Sequence, residues 1–283
     1  MTLHDLARPA VLPADLPMDG ADLFVAQLVA AGVENLFINS GTDTFPVQEA
    51  IAKRLALGLP SPRVVLCLDE MVAGAAAHGH FMISRRPQAI LVHVDVGTQQ
   101  IGGALHNAQR SRIGMLICAG RAPYTVDGGG EFRKGKKSHI HWIQEQLDQH
   151  GIVRNYTKWD YELRSSRVAG DVVQRALQVA ASEPAGPVYL VLPLESLLDP
   201  APSQITPAGA VRADCGSRAP SRADRARRGS ACRCQSAADR GQHGGQRPGD
   251  GSGARRPRRS PRSARRHRRT TDVLPDHSPT LGG

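Results

Sequence analysis

The chain has 283 residues and a formal net charge of +10, a balance that would normally suggest a nucleic-acid or anionic-surface partner. The first 200 residues carry 18 basic and 20 acidic side chains, whereas residues 201–283 carry 18 arginines and six aspartates. The excess of basic residues is therefore confined to the tail, and the net charge of the whole chain does not indicate a partner for residues 1–200. No segment reaches the roughly 18 apolar residues of a membrane span, and residues 1–18, an N-terminal extension, lack the order of a signal peptide. We expect a cytoplasmic protein with no membrane partner.

Residues 19–200 alternate short apolar runs with longer amphipathic ones, as in a chain of strands connected by helices. Helices are expected at 21–31, from the turn 40–43 through about residue 57, and at 69–84, 98–109 and 166–181. Strands are expected at 35–39, 64–68, 89–94, 113–118, 151–156 and 188–192. Runs this continuously apolar favour a parallel sheet that is covered on both sides. The prediction is one α/β domain with about six parallel strands and helices on both faces.

The tail, residues 201–283, contains no Phe, Trp, Tyr, Met, Lys or Glu and only five Ile, Leu or Val residues. It cannot bury enough apolar surface to offset its ordering entropy, so we expect it to be disordered. Ala, Arg, Gly and Pro supply 49 of its 83 residues, and all four have GC-rich codons. We therefore hypothesise a frameshift product. The alternative is an arginine-rich arm that binds phosphate backbones, but the lack of Lys and aromatic side chains makes nucleic acid the less favoured partner.

Three loops should meet at the carboxyl edge of the sheet, where ligands bind in open parallel sheets: residues 39–43, 69–70 and 95–100. The glycine fingerprint of dinucleotide-binding folds, the phosphate loop and the nucleophile elbow of serine hydrolases are all absent. His78 and His80 are two residues apart on a predicted helix and face different directions, which argues against a zinc site. The basic loop 127–137 is read as solvated surface, with a phosphate or lid role as the alternative.

Glu70 stands out because it falls in the first turn of a helix that follows an apolar strand. A helix N-terminus stabilises a carboxylate, whereas burial disfavours its charge, so a partly buried Glu70 could be tuned to exchange a proton. Simple complementarity with the helix dipole is the alternative explanation, and spacing alone leaves both open. The following residues, 73–77, give the helix a face of small side chains that can pack close to another backbone.

The ordered set of motifs between about Met18 and Pro200 resembles the N-terminal pyrimidine-binding (PYR) domain of thiamine-diphosphate enzymes, especially the acetolactate-synthase-like group. The motifs are Gly32-Val33, Gly41, Glu70, Gly79, Gly97, residues 119–123, Gln144-Glu145, Thr157-Lys158, and residues 186–190 with Pro193. The resemblance implies thiamine diphosphate as cofactor and a small 2-oxo acid as substrate, acted on by decarboxylation or two-carbon transfer. It also implies a homodimer or homotetramer formed through the PYR domain.

The resemblance further implies roles for four residues. A glutamate that matches Glu70 bonds a ring nitrogen of the cofactor's aminopyrimidine, which makes Glu70 the expected catalytic and cofactor-binding residue. Gly41 and Gly97 match positions where the backbone approaches the cofactor or substrate. Gln144 matches a glutamine near the active site.

The sequence also departs from the family pattern. Asp69 stands where a histidine is common, Gln100 where an asparagine is common, and His80 where a tyrosine is common, which makes a standard acetolactate substrate doubtful. The diphosphate-binding domain, which binds Mg²⁺ in such enzymes, does not follow, so we expect a truncated chain that is inactive alone. The alternatives are a catalytically silent PYR-type oligomer partner and nucleic-acid binding through the tail.

Overall fold

The computed structural model describes residues 17–127 and 134–207. Most of the expected N-terminal extension, the centre of the basic loop 127–137 and the tail beyond residue 207 lie outside this description. The strands are β1 (Asn35–Asn39), β2 (Arg63–Leu66), β3 (Ala89–Val92), β4 (Met115–Arg121), β5 (Trp159–Glu162) and β6 (Pro187–Pro193). The α-helices are α1 (Gly20–Ala30), α2 (Phe45–Ala56), α3 (Glu70–Ser84), α4 (Val94–Gln100), α5 (Gly102–Arg110), α6 (His139–Ile143), α7 (Ala169–Ala181) and α8 (Leu194–Leu198).

The six strands form one parallel sheet in the order β2-β1-β3-β4-β6-β5. This confirms the predicted α/β class and strand number. From β1 the chain passes to β2 on one side and then to β3 on the other, so the order reverses at the β1–β3 pair. The carboxyl ends of these two strands therefore flank the crevice in which open parallel sheets bind ligands.

The core consists of two layers, one on each face of the sheet, because successive strand residues point to opposite faces. On one side the strands pack against α1, α2 and α7, as with Leu36 and Leu116. On the other side they pack against α3 and α5, as with Ile90 and Ile117. Burial of each such side chain contributes about 1.5–3 kcal/mol, so β3, β4 and β6, which are buried along nearly their whole length, stabilise the domain most.

The edge strand β2 differs from the expectation of two covered faces. Its run is as apolar as those of the inner strands, yet the side chains of Val64 and Leu66 are 46% and 69% exposed. An edge strand pairs with one neighbour only, here β1, and the described residues leave much of its surface open. The exposed apolar side chains continue onto α3.

Two other sequence expectations need correction. Residues 151–156 were expected to form a strand, but they lie in the 3₁₀ turns His150–Ile152 and Arg154–Tyr156, and β5 begins at Trp159. A short apolar run does not by itself separate a strand from a tight turn packed on the core. The helix expected from residue 98 begins at Val94, immediately after β3, and is divided into α4 and α5.

Two smaller expectations agree with the structure. Cys67 and Cys118 are buried free thiols, as expected from their places in apolar runs. Within residues 17–127 and 134–207, no helix is long and apolar enough to cross a bilayer.

Candidate functional site

An aspartate–histidine pair occupies the point where the strand order reverses. A 3₁₀ turn after β1 positions Asp43, and His93 follows the last residue of β3 as the N-cap of α4. One carboxylate oxygen of Asp43 bonds His93 Nδ1, and the other accepts the backbone N–H of Val94 at 3.1 Å. Val94 has a φ of +27°, a strained conformation for a β-branched residue. The Asp43 carboxylate thus holds both the histidine ring and the strained turn into α4.

Two glycines make room for this pair. A Cβ atom added at Gly41 would overlap the ring of His93, and one added at Gly120 would overlap the carboxylate of Asp43. The side chain of Asp43 is 7% exposed and that of His93 is 22% exposed. Gly41, which was predicted as a site of close backbone approach, therefore accommodates a side chain of this chain itself. A role toward a cofactor remains a prediction.

Glu70 begins α3 at the neighbouring edge of the crevice. Glu70 is 8% exposed, and its carboxylate has no hydrogen-bond or ion-pair partner among the described residues. A Cβ atom at Gly97, in α4, would lie 2.9 Å from Glu70 Oε1 and 3.0 Å from the Cβ of Val92. The predicted pair Glu70 and Gly97 is therefore in direct contact, and only a glycine leaves the carboxylate undisturbed.

The packing of α3 explains how Glu70 reaches this position. A Cβ atom at Gly74 would overlap the side chain of Ala104 on α5, so the two helices are in close contact, as the small-residue face predicted. Asp69 caps α3 by accepting the N–H of Met71 at 2.7 Å, and its other oxygen accepts the Nε2 of Gln100 at 3.0 Å. Two of the departures from the family pattern, Asp69 and Gln100, thus bond to each other beside the site. Asp69 does not share the buried position of Glu70.

Gln144 reaches the same place from the segment after α6. Its Nε2 lies 3.2 Å from His93 Nε2, and two residues further Gln146 donates to Asp95 at 3.0 Å. A cavity of about 300 Å³ opens next to this contact. Its polar lining consists of Thr42, Asp43, Arg121, Lys137, Ser138, His141 and Gln144. The four predicted site residues therefore surround one end of the sheet, with His93 between Gly41 and Gln144.

The two histidines of this region have opposite pKa shifts. The hydrogen bond to the Asp43 carboxylate raises the pKa of His93 above its ordinary value. Burial lowers this pKa, and the negative charges of Asp43, Asp95 and Glu70 raise it further. Burial, with a contribution from nearby Lys137, lowers the pKa of His141. His93 is therefore the histidine that stays protonated to higher pH.

A buried hydrogen-bond network joins α4 to the strands β4 and β6. Thr98 Oγ1 lies 2.8 Å from the hydroxyl of Tyr189 on β6 and donates to the carbonyl oxygen of Val94 at 2.6 Å. Gln149 donates to the same hydroxyl at 3.1 Å and to the carbonyl oxygen of Gly120 at 3.0 Å. Networks of this kind rigidify the groups they join. The network holds in register the turns that carry His93 and Gly97.

The sequence reasoning missed His93 and the partnership with Asp43. The expected strand was extended to residue 94, which placed His93 inside it instead of at its end. A usable signal was present, since a polar residue at the end of one apolar run and an aspartate after another both fall at the carboxyl edge of a parallel sheet. Within the described ranges no group of three or more His, Cys, Asp and Glu side chains could hold a metal ion.

The chain is similar in sequence to several known proteins. Residues 18–152 match the family described as "Thiamine pyrophosphate enzyme, N-terminal TPP binding domain". Benzoylformate decarboxylase of Pseudomonas aeruginosa is 25% identical over 174 residues, which cover 62% of this chain and 30% of that protein. The catalytic subunit of mitochondrial acetolactate synthase of Aspergillus candidus is 26% identical over 174 residues, which cover 62% of this chain and 23% of that protein.

A solved structure shows the same fold. The thiamine diphosphate-dependent 4-hydroxybenzoylformate decarboxylase of Rhodococcus jostii RHA1 superposes with a TM-score of 0.52 at 22% identity, over 65% of this chain and 32% of that chain. The α/β domain described above thus shares its fold with part of that protein. Residues 18–152 are therefore similar to the N-terminal TPP-binding domain of thiamine pyrophosphate enzymes. The chain spans less than a third of the length of the relatives described here.

Proposed function

We propose that this domain binds the aminopyrimidine side of thiamine diphosphate and that Glu70 bonds a ring nitrogen of the cofactor. The observation that carries the proposal is the buried Glu70 carboxylate, which contacts Gly97 and has no protein partner among the described residues. A carboxylate in this situation has hydrogen-bonding capacity that no described protein group uses, so a ligand can supply its partner. The Glu70 carboxylate can bond a ring nitrogen of a heterocycle that carries a proton. When bound, the cofactor supplies the carbanion chemistry of the reaction.

The activity we propose is decarboxylation of, or two-carbon transfer from, a 2-oxo acid in an acetolactate-synthase-like enzyme. It is supported by relatives that are named as a decarboxylase and a synthase. We propose that Mg²⁺ and the diphosphate are bound by a further domain, as the resemblance to thiamine-diphosphate enzymes implies. We also propose a cytoplasmic location, which the buried free thiols of Cys67 and Cys118 support.

A homodimer or homotetramer formed through this domain is the assembly that we propose. The apolar face of α3 supports it: Val72, Met82 and Ile83 are 55%, 60% and 91% exposed, and Leu66 on the adjoining strand is 69% exposed. Contiguous apolar side chains on this scale are typical of surfaces that another subunit covers. The same face would serve a catalytically silent oligomer partner. Sedimentation of the chain with Ile83→Lys, against the unsubstituted chain, tests the assembly, and an unchanged oligomer would contradict it.

The test of cofactor binding is calorimetric titration of the 283-residue chain with thiamine diphosphate and Mg²⁺. Glu70→Gln keeps the size of the side chain and removes its charge, so we expect the dissociation constant to weaken by about tenfold or more. Glu49→Gln, which changes an exposed carboxylate on α2, is the matched control and should leave binding unaltered. Equal affinities of the Glu70 variant and the unsubstituted chain, or no binding by either, would refute the proposal.

A further inference from the structure

The contact between His93 and Gln144 joins two nitrogen atoms, Nε2 of each side chain, at 3.2 Å. One of them has to donate and the other has to accept. Because the Asp43 carboxylate accepts a hydrogen bond from Nδ1–H, the far nitrogen of a neutral His93 ring is an acceptor for the amide N–H of Gln144. In the imidazolium form both ring nitrogens donate, and the amide has to turn so that its oxygen faces His93.

The orientation of the amide decides what the cavity offers to a ligand, since Gln144 is part of the cavity lining. With a neutral ring, the amide nitrogen is used by His93 and the oxygen is left for the cavity. With an imidazolium, the oxygen is used and the NH₂ group is left. Protonation of His93 thus converts the group presented by Gln144 from an acceptor into a donor.

The charges around His93 raise its pKa and so favour the donor state to higher pH than in an ordinary histidine. Asp43 on the 3₁₀ turn, Asp95 on α4 and Glu70 on α3 all stabilise the imidazolium. Two basic side chains that face the cavity, Arg121 and Lys137, add positive charge to the region a ligand would enter, whereas the lowered pKa of His141 favours its neutral ring. Arg121 is paired with Glu162, so part of its positive charge is neutralised while its N–H groups still line the cavity.

We propose that Gln144 is a specificity-determining residue whose preference is set by His93. With the His93 ring protonated, the NH₂ group of Gln144 donates to a carboxylate oxygen of a small 2-oxo acid. With the ring neutral, the amide oxygen of Gln144 faces the cavity and repels that carboxylate oxygen. The inference deepens the proposed function and rests on it for the class of ligand. It requires no bond to form or break in the ligand. One proton from solvent resides on His93 in the complex, with Asp43 as its fixed partner.

The experiment measures the dissociation constant of pyruvate, a small 2-oxo acid, for the 283-residue chain at a series of pH values. The imidazole resonances of His93 are followed by NMR in the same samples. Above the pKa of His93, we expect pyruvate binding to weaken by up to about tenfold per pH unit. Asp43→Asn removes the main cause of the raised pKa, so the pH at which binding is lost should move down together with the His93 titration.

Two further variants isolate the residues involved. His93→Asn should bind pyruvate with no pH dependence over this range, and Gln144→Glu, which presents only acceptors, should not bind it. His106→Asn, on the exposed side of α5, is the matched control and should keep the slope of the unsubstituted chain. Circular dichroism confirms that each variant is folded.

The proposal is overturned by a pyruvate affinity that is constant through the His93 titration, by the same slope in His93→Asn, or by absence of pyruvate binding. Thiamine diphosphate binding is read separately by calorimetry. If the cofactor does not bind while pyruvate binding retains its dependence on His93, the proposed cofactor function fails and this inference stands.

Discussion

Gly114 and Gly186 occupy matched positions immediately before the adjacent strands β4 and β6, whose first residues, Met115 and Pro187, are partners in the sheet. A Cβ atom at Gly114 would lie 2.6 Å from the carbonyl oxygen of Ala180 and 2.8 Å from a ring carbon of Phe81. At Gly186 the nearest atom would be a side-chain carbon of Lys158 at 3.5 Å, an ordinary contact. Gly114→Ala should therefore destabilise the domain, whereas Gly186→Ala should not.

The magnitude follows from how far the neighbours have to move. To restore normal contact distances, the carbonyl of α7 or the ring on α3 has to shift by about half an ångström or more, and overpacking of this kind costs roughly 1–3 kcal/mol. The lower entropy of the unfolded chain offsets about 0.4–1 kcal/mol of that cost in both variants. The difference between the free energies of unfolding of Gly114→Ala and Gly186→Ala isolates the steric contribution, which we expect to be about 1–3 kcal/mol.

Urea denaturation of the 283-residue chain, followed by far-ultraviolet circular dichroism, measures this difference. A lower midpoint at an unchanged slope would indicate a change in stability instead of a change in the surface exposed on unfolding. Because Phe81 belongs to the helix that carries Glu70, the same variant also tests whether that helix is held by packing against the start of β4. Equal midpoints for the two variants would refute the close approach that the structure shows.

Three further predictions concern buried polar groups. Asp43→Asn removes the bond that raises the pKa of His93. The loss of stability in this variant should be greatest below the unfolded-state histidine pKa of about 6.5 and should diminish as pH rises through the folded-state pKa. A loss of stability that grows with pH in denaturation curves would contradict this pH dependence. Tyr189→Phe removes the buried hydroxyl that bonds both Thr98 and Gln149, and it should cost about 1–3 kcal/mol in the same assay, with a neutral effect as the contrary result. Burial raises the pKa of the Cys118 thiol, so it should react with a thiol reagent only on unfolding, and rapid labelling of the native chain would disprove its burial.

Much of the fold could be predicted from the sequence because its cause is local. Inner strands read as continuous apolar runs since both of their faces are covered. The run at 35–39 matches β1, the run at 188–192 falls within β6, and the run at 113–118 overlaps β4, which begins two residues later. The run at 151–156 was misassigned because its apolar side chains pack from tight turns, an outcome that periodicity does not distinguish. The openness of β2 also depends on what covers the edge of the sheet, which the run itself does not encode.

For the site, the sequence by itself determined that Glu70 begins a helix after an apolar strand and that glycines stand at the neighbouring loops. Tertiary structure alone decided that Glu70 contacts Gly97 and that Asp43 bonds a histidine 50 residues away in the chain. The reason is physical. Secondary structure follows from the pattern of each segment, but a site is formed where the strand order reverses, and that order is set by packing of the whole sheet.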